Sequence, residues 1–355
     1  MRVLILYSEI MGYLISGLKA FHQINPDVEI HIFELDEHKL TPFSFTESFI
    51  IYYKKSDYQN LSSFESICKS IQPNLLIVSG RTHAHYLSIA QFYKNKILTV
   101  SIQDTQNDKS LRTFIKCLFA NFLYKRYFMC VWVTGPYGIN LGNRLGYSNN
   151  DIYNYCYSAD TKFYSTPSHL LQKKVHRKII FVGRFVEEKN IYFLVEAFKK
   201  VNEQISNKWN LTLVGHGELS RDIVDNQHIE IFPFLPPETI KELAREVDVF
   251  CLPSIYEPWG VVVHEFACMG KVLLISDRCG SKDDFVINGF NGYSFNPYDI
   301  EELERRLLSI FSMDESEISR MKNNSLLLSN RISSEIWAGQ LKALLLRSLT
   351  LHSNY

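Results

Sequence analysis

The sequence predicts an α/β chain of two doubly wound, Rossmann-like domains facing each other across a cleft. Three observations carry this. At 355 residues the chain exceeds the usual single core and suits two domains of ordinary size. Short apolar runs alternate with amphipathic segments from start to finish, the pattern of parallel strands joined by crossover helices. The alternation restarts after "YSADTKFYSTPSHLLQKKVHRK", a polar stretch containing Pro167 that reads as a linker.

In the first half the predicted strands are "RVLILY", "VEIHIF", "NLLIVS", "ILTVSI", "CVWVTG" and "DIYNYC". Between them, "HYLSIAQFYKN" and "SLRTFIKCLFANFLYKR" repeat apolar residues at three- and four-residue steps, as helices do. The second half supplies "KIIFVG", "LTLVG", "IEIFPF", "DVFCLP" and "KVLLIS". These readings give a first domain over residues 1–165 and a second over 166–334. A long helical pattern, "SEIWAGQLKALLLRSL", then occupies about 335–355 and is expected to cross back onto the first domain. Open sheets of this kind bind ligands beyond the carboxyl ends of their strands, so functional residues are expected just after each strand.

Composition narrows the function. Thirty-eight basic and 38 acidic residues cancel, so no global field favours nucleic acid as a partner. Seven cysteines without any Cys-x-x-Cys spacing lie in apolar runs, as with Cys130 and Cys251, which suits buried reduced thiols and a cytoplasmic location. "MRVLILYSEI" is too short in its apolar run for a signal peptide and reads as the first strand. No window reaches the roughly 18 apolar residues that span a bilayer. The basic, aromatic stretch "TFIKCLFANFLYKRYFMCVWV" reads as a helix followed by a buried strand, with a membrane-surface patch around Phe119 to Phe128 as the alternative.

Four post-strand loops in the second half collect the unusual residues. In "FVGRFVEEKN", Gly183 is expected to allow a tight turn. Arg184 and Lys189 stand near a helix start, where an anion such as a diphosphate is favoured; alternatively Lys189 pairs with Glu187 or Glu188 on a solvated surface. In "LVGHGEL", Gly215 and Gly217 bracket His216, which either lines the cleft or sits in a solvated loop. In "LPSIYEPWGVVVHEFACMG", Glu257 lies on a loop and Glu265 about one turn into the helix that starts near Gly260 or Val261. Carboxylates there suit pairs of sugar hydroxyls, unless Glu265 merely completes a helix surface. In "SDRCGSKDDFVINGFNGYSF", Gly280 and Ser281 are candidates to present backbone N–H groups to an anion, while "NGFNG" reads as a turn pair.

Taken together in order and spacing, these loops resemble the retaining glycosyltransferases of family 4, with their glycosyltransferase-B fold and E-x7-E signature, here Glu257 and Glu265. The likeness is strong over roughly residues 177–300 and rests elsewhere on the strand–helix pattern. It implies that Arg184 and Lys189 bind the donor diphosphate and stabilise charge as the nucleotide leaves. It implies that Glu265 holds the ribose and Glu257 the donor sugar, with Gly260 and Val261 supplying backbone near the sugar or diphosphate. Gly12 matches the first-strand glycine that lets the N-terminal domain approach the donor. Gly183, Gly215, His216 and Trp259 complete the expected donor site, with Trp259 the position to test for sugar preference.

The chain departs from that family in its first half. After the first strand it has Gly12 with Glu9 before it, in place of a glycine-rich loop. Where many members carry a histidine after the fourth strand it holds Gln103 and Asp104, with His83 and His85 after the preceding strand as substitutes. These four are the acceptor-side candidates. No metal-ligand cluster and no cofactor motif is visible, and the two cations supply the charge that a divalent ion would. The implied activity is retaining transfer of a hexose-like sugar from a nucleotide diphosphate sugar to a glycan or lipid-linked acceptor in bacterial surface polysaccharide or lipopolysaccharide synthesis, with peripheral contact at the inner face of the membrane. Front-face attack is preferred to a covalent intermediate, for which Asp104 is the one first-domain acid considered. The alternatives are a non-catalytic nucleotide-sugar binding protein and a sugar-nucleotide epimerase.

Overall fold

The computed structural model describes residues 1–35, 46–54, 57–58, 60–80, 83–104, 123–167, 175–221 and 227–352. By its contacts the chain forms two compact units. Unit 1 is Met1–Asp160 with Ile332–Tyr355, and unit 2 is Thr161–Arg331, so the divisions fall a few residues before those the sequence suggests.

Unit 1 is a parallel sheet of β1 (Arg2–Tyr7), β2 (Glu29–Glu34), β3 (Ile50–Tyr53), β4 (Leu75–Ser79), β5 (Leu98–Gln103), β6 (Cys130–Val133) and β7 (Ile152–Tyr153), in the order β3-β2-β1-β4-β5-β6-β7. Its helices are α1 (Gly12–Ile24), α2 (Leu61–Ile71), α3 (Ala84–Tyr93) and α4 (Gly135–Arg144). Strand β1 is buried from Val3 to Tyr7 because both faces are covered there. Val3, Ile5 and Tyr7 point into one core with α1, whereas Leu4 and Leu6 point into another with α2 and α3.

Unit 2 is a parallel sheet of β8 (Lys178–Val182), β9 (Asn210–Val214), β10 (Ile229–Phe232), β11 (Val249–Leu252), β12 (Val272–Ser276) and β13 (Gly292–Phe295), in the order β10-β9-β8-β11-β12-β13. Its helices are α5 (Thr161–Tyr164), α6 (Ile191–Gln204), α7 (Pro237–Ala244), α8 (Val261–Cys268), α9 (Lys282–Phe285), α10 (Ile300–Phe311) and α11 (Glu315–Ser329). From β8 the chain winds outward through β9 and β10, then returns past β8 to β11. The carboxyl ends of β8 and β11 therefore flank a topological switch point.

Helix α12 (Ser334–His352) belongs to unit 1 and packs along α1. Trp337 donates its indole N–H to the Cys156 carbonyl at 2.8 Å and lies 4.8 Å from Trp132. A Cβ on Gly17 would come within 2.4 Å of the Trp337 ring, so this glycine is required by close approach.

Three expectations need correction. "DIYNYC" forms a strand over Ile152–Tyr153 alone, because Tyr155 turns to φ +61° and ends the extended run. "IIYY" is a strand that the sequence reading omits. "NGFNG", read as a turn pair, gives its last glycine to strand β13, which the sequence reading also omits, and a Cβ on Gly292 would come within 1.9 Å of the Leu273 carbonyl oxygen across the ladder. The described cysteines, Cys68, Cys130, Cys156, Cys251, Cys268 and Cys279, are buried free thiols. Among the described residues no helix is long and apolar enough to cross a membrane, and no group of His, Cys, Asp and Glu is arranged to hold a metal ion.

Candidate functional site in unit 2

The two loops flanking the switch point, 183–190 after β8 and 253–260 after β11, hold Arg184, Lys189 and Glu257. Lys189 ends a short 3-10 turn, Glu187–Lys189, and Asn190 then takes a left-handed conformation before α6. That corner is tied to neighbouring loops. The Asn190 amide donates to the carbonyls of Pro253 at 3.3 Å and Pro297 at 3.0 Å, and the Ile255 N–H donates to Glu188 C=O at 2.9 Å. Lys189 is thereby delivered onto the carboxylate of Glu257, with both side chains largely buried. Its partner is thus neither Glu187 nor Glu188, the alternative that the sequence offers; both of those are exposed. Arg184 is exposed and has no ionic partner among the described residues, which leaves it open to an anion.

The loop after β9 locks this frame through its backbone. Gly215 has φ +151°, and a Cβ on it would lie 1.8 Å from the Gly183 carbonyl oxygen. A Cβ on Gly217 would meet the Phe185 oxygen at 2.3 Å. The Phe185 N–H donates to His216 C=O at 2.9 Å, and the Leu219 N–H donates to Phe185 C=O at 3.0 Å. Gly215 and Gly217 therefore serve close packing of two post-strand loops. Gly183 itself lies outside the left-handed region, so the conformational freedom expected of it is not used. The His216 ring is exposed, with Nδ1 3.4 Å from Ser220 Oγ.

Gly260 does need its freedom. It caps α8 at φ +82°, and a Cβ there would meet Cys279 Sγ at 2.9 Å and Glu257 Cγ at 3.0 Å. Val261 opens the helix, and Glu265, half-buried, follows one turn later. The loop is held by the connection after β12. Gly280 N–H donates to Glu257 C=O at 3.0 Å, Ser281 N–H to Trp259 C=O at 2.9 Å, and Cys279 Sγ to the same Trp259 carbonyl at 3.1 Å. These N–H groups are thus engaged internally, which corrects the expectation that they serve an anion. Trp259 is another correction: at 3% exposure its ring is interior, edge-on to Phe285 at 6.3 Å, and cannot lie against a sugar as placed. Burial pushes the Cys279 thiol up to about 12, so it is an inert packing group. His264 is buried, stacked 4.4 Å from Phe285, with Nε2 2.9 Å from the Ser329 carbonyl.

In unit 1, Gly12 is the first residue of α1. Gln103 does not face a ligand: its amide donates to Ser101 Oγ at 2.6 Å and accepts from Tyr124 Oη at 3.2 Å, so both ends are occupied. Asp104 is half-buried and accepts from Tyr157 Oη at 3.2 Å. His83 and His85 stand at the start of α3, their ring centroids 5.1 Å apart, with His85 5.9 Å from Phe64 and His83 4.9 Å from Tyr86. Sequence reasoning missed Tyr7, Tyr13 and Tyr157 around Asp104. For Tyr157 the alternate tyrosines of "YNYCY" were the available signal.

Residues 167–326 match the family described as glycosyl transferases group 1. An uncharacterised glycosyltransferase of Methanocaldococcus jannaschii is 30% identical over 158 residues, which is 42% of this chain and 40% of that protein. The matched part thus spans about two fifths of the length of such relatives. The structure is similar over 99% of its length to 99% of a sucrose-phosphate synthase from Thermosynechococcus elongatus, with a TM-score of 0.75 and 14% identity. It is also similar over 97% of its length to 99% of Anabaena HepE in complex with UDP and glucose, with a TM-score of 0.71 and 15% identity. At such identities the likeness establishes the fold, two Rossmann-like domains of the glycosyltransferase-B kind.

Proposed function

We propose that this chain, whose residues 167–326 match the group 1 glycosyl transferases, moves a hexose-like sugar from a nucleotide diphosphate sugar to an acceptor hydroxyl with retention at the anomeric carbon. The observation that carries the reading is the Lys189–Glu257 contact between the two loops at the switch point of a nucleotide-binding type of sheet. A carboxylate fixed by a cation accepts sugar hydroxyls with little reorganisation. Arg184, free of ionic partners among the described residues, and Lys189 would act where negative charge grows on the departing diphosphate. Glu265 would hold the ribose, and the backbone at Gly260 and Val261 would approach the sugar or diphosphate.

In the proposed step the bond from the anomeric carbon to the phosphate oxygen breaks and its electron pair leaves with the diphosphate. The acceptor oxygen bonds to the same face of the carbon, and its proton passes to the departing phosphate oxygen. A glycan or lipid-linked acceptor of bacterial surface polysaccharide rests on the family resemblance alone. The test is a calorimetric screen of UDP-, GDP- and ADP-sugars followed by product analysis. Tight nucleotide binding with acceptor-dependent transfer supports the reading; sugar conversion without an acceptor, or binding without turnover, overturns it.

Peripheral membrane contact is proposed for the amino-end face of unit 1. Residues 105–122 of the basic, aromatic stretch lie outside the described residues, but Leu123, Lys125 and Arg126 are exposed just before β6. Lys96 and exposed Phe92 flank them before β5, with Lys96 Nζ 3.4 Å from the Phe92 centroid. Burial and the neighbouring Lys125 hold the Lys94 ammonium below its ordinary range. Lys94, Lys96, Lys125 and Arg126 have no acidic partner among the described residues, which suits an anionic lipid surface. Flotation with phosphatidylglycerol vesicles, lost in Lys94→Glu/Lys96→Glu, supports contact; equal recovery with neutral vesicles overturns it.

A further inference from the structure

Asparagine at the capping position of a helix normally accepts a backbone N–H of the first turn through its side-chain oxygen. Asn190 stands at that position before α6 and makes no such bond. Its amide nitrogen turns to the neighbouring loops instead, donating to the carbonyls of Pro253 at 3.3 Å and Pro297 at 3.0 Å. Pro253 directly follows β11 and Pro297 lies two residues beyond β13, so one side chain joins the post-strand loops of β8, β11 and β13.

The backbone around Asn190 is equally committed. Lys189 N–H donates to Val186 C=O and Asn190 N–H to Glu187 C=O, each at 3.0 Å, which closes the short turn over Glu187–Lys189. Asn190 then takes φ +56° and ψ +38°, the left-handed region that asparagine tolerates better than most residues. Ile255 N–H reaches back to Glu188 C=O at 2.9 Å. The residue held between these fastenings is Lys189, whose ammonium meets Glu257, four residues past Pro253. The two amide bonds do nothing for α6; what they fix is the loop that carries Glu257 against the turn that carries Lys189.

Resting on the glycosyl-transfer reading, we propose that Asn190 is the positioning residue of the Lys189–Glu257 pair, and that its amide sets where the ammonium stands when charge develops on the departing diphosphate. Asn190 acts through Lys189 and not on the reacting atoms. An ammonium at the end of a flexible four-carbon stem keeps one place only when its backbone and its partner are both fixed. Displacing a charge-stabilising group by about 1 Å is enough to cost on the order of 100-fold in rate. A group that acts on growing charge alters turnover more than ground-state binding, so loss of the amide falls on kcat and spares KM.

Two variants of the full chain test this. Asn190→Gly keeps the left-handed turn and removes the amide; Asn190→Asp keeps the size and sets a carboxylate against two carbonyls. With the donor found in the calorimetric screen, each should lower kcat about 10- to 100-fold and leave the donor KM within about threefold of wild type, with unaltered circular dichroism spectra. In a Lys189→Met background, Asn190→Gly should cost less than about threefold more, because the group it positions is already gone. An undiminished loss in that background, a loss confined to KM, or unaltered kcat in both variants overturns the proposal. Acetic anhydride labelling read by mass spectrometry needs no donor. Lys189, 16% exposed and paired, should react about fivefold faster in Asn190→Gly, with exposed Lys199 unchanged as the internal standard. Equal labelling of Lys189 in the two proteins overturns the positioning role whatever the donor result. Absence of turnover with every nucleotide sugar sinks the transfer reading instead, and the labelling then still decides whether Asn190 holds Lys189 on Glu257.

Discussion

Lys189 and Glu257, 68 residues apart in the chain, form a largely buried ion pair, with side chains 16% and 13% exposed. The pair links the loop after β8 to the loop after β11, so each charge orients the other as well as any ligand. Lys189→Met should lower kcat/KM on the order of 100- to 1000-fold, the cost of losing one group that stabilises developing charge. In a double-mutant cycle with Glu257→Gln the coupling should be about 1–3 kcal/mol. Additive losses in steady-state kinetics would mean that the two act independently.

Arg184 calls for a different outcome. Exposed and without an ionic partner among the described residues, it contributes little to folding, and Arg184→Ala should leave the unfolding free energy from urea titration within about 0.5 kcal/mol of wild type. Its affinity for a nucleoside diphosphate should nevertheless fall about tenfold, and the salt dependence of binding should flatten, because a charge-assisted contact is lost. Titration calorimetry at two ionic strengths reads both effects.

Glycine substitutions separate close approach from backbone preference. Gly215→Ala forces a methyl against the Gly183 carbonyl and should cost unit 2 roughly 4 kcal/mol or more. Gly289 also has positive φ, but a Cβ there meets nothing within 4 Å, so Gly289→Ala should cost about 1–2 kcal/mol. Equal denaturation midpoints for the two variants would contradict the packing role of Gly215.

Acid sensitivity should trace in part to His264. Burial lowers it to about 4, below its unfolded value near 6.5, so the unfolded chain binds the extra proton first as pH falls. The stabilisation it gives is complete above about pH 6.5 and is lost toward pH 4, on the order of 3 kcal/mol. Asp284, which burial raises to about 6, acts with the opposite sign over the same window: its protonated form favours the fold as pH drops. Comparing wild type with His264→Gln by thermal melts from pH 4 to 7 isolates the histidine. A pH slope unaltered by the substitution would rule it out.

How much of this could be read in advance depends on distance along the chain. Strand ends were legible because most apolar runs stop at glycine, proline or a polar residue, and this directs attention to the loops that hold Arg184, Lys189, Glu257 and Glu265. The partner of Lys189 was not, because Glu187 and Glu188 are adjacent in sequence while Glu257 becomes adjacent only through the strand order. Gly280 and Ser281 looked free because nothing local shows that their N–H groups turn onto the carbonyls of Glu257 and Trp259. Tyr157 opens the stretch that the sequence offers as a linker, and nothing local shows that its hydroxyl reaches Asp104. Strands β3 and β13 are no shorter than β6 and β11, but those two are buried throughout whereas β3 and β13 are only partly buried, so their pattern is weaker.

The placement of Trp337 against Gly17 bears on the order in which the molecule is made. Unit 1 draws its core from both ends of the chain, whereas unit 2 is one continuous stretch. During synthesis unit 2 has all its strands and helices before residues 334–352 exist, while the face of α1 that receives Trp337 must wait uncovered. The half that begins first is therefore the half that finishes last, and its exposed apolar surface is what a chaperone would meet on the ribosome.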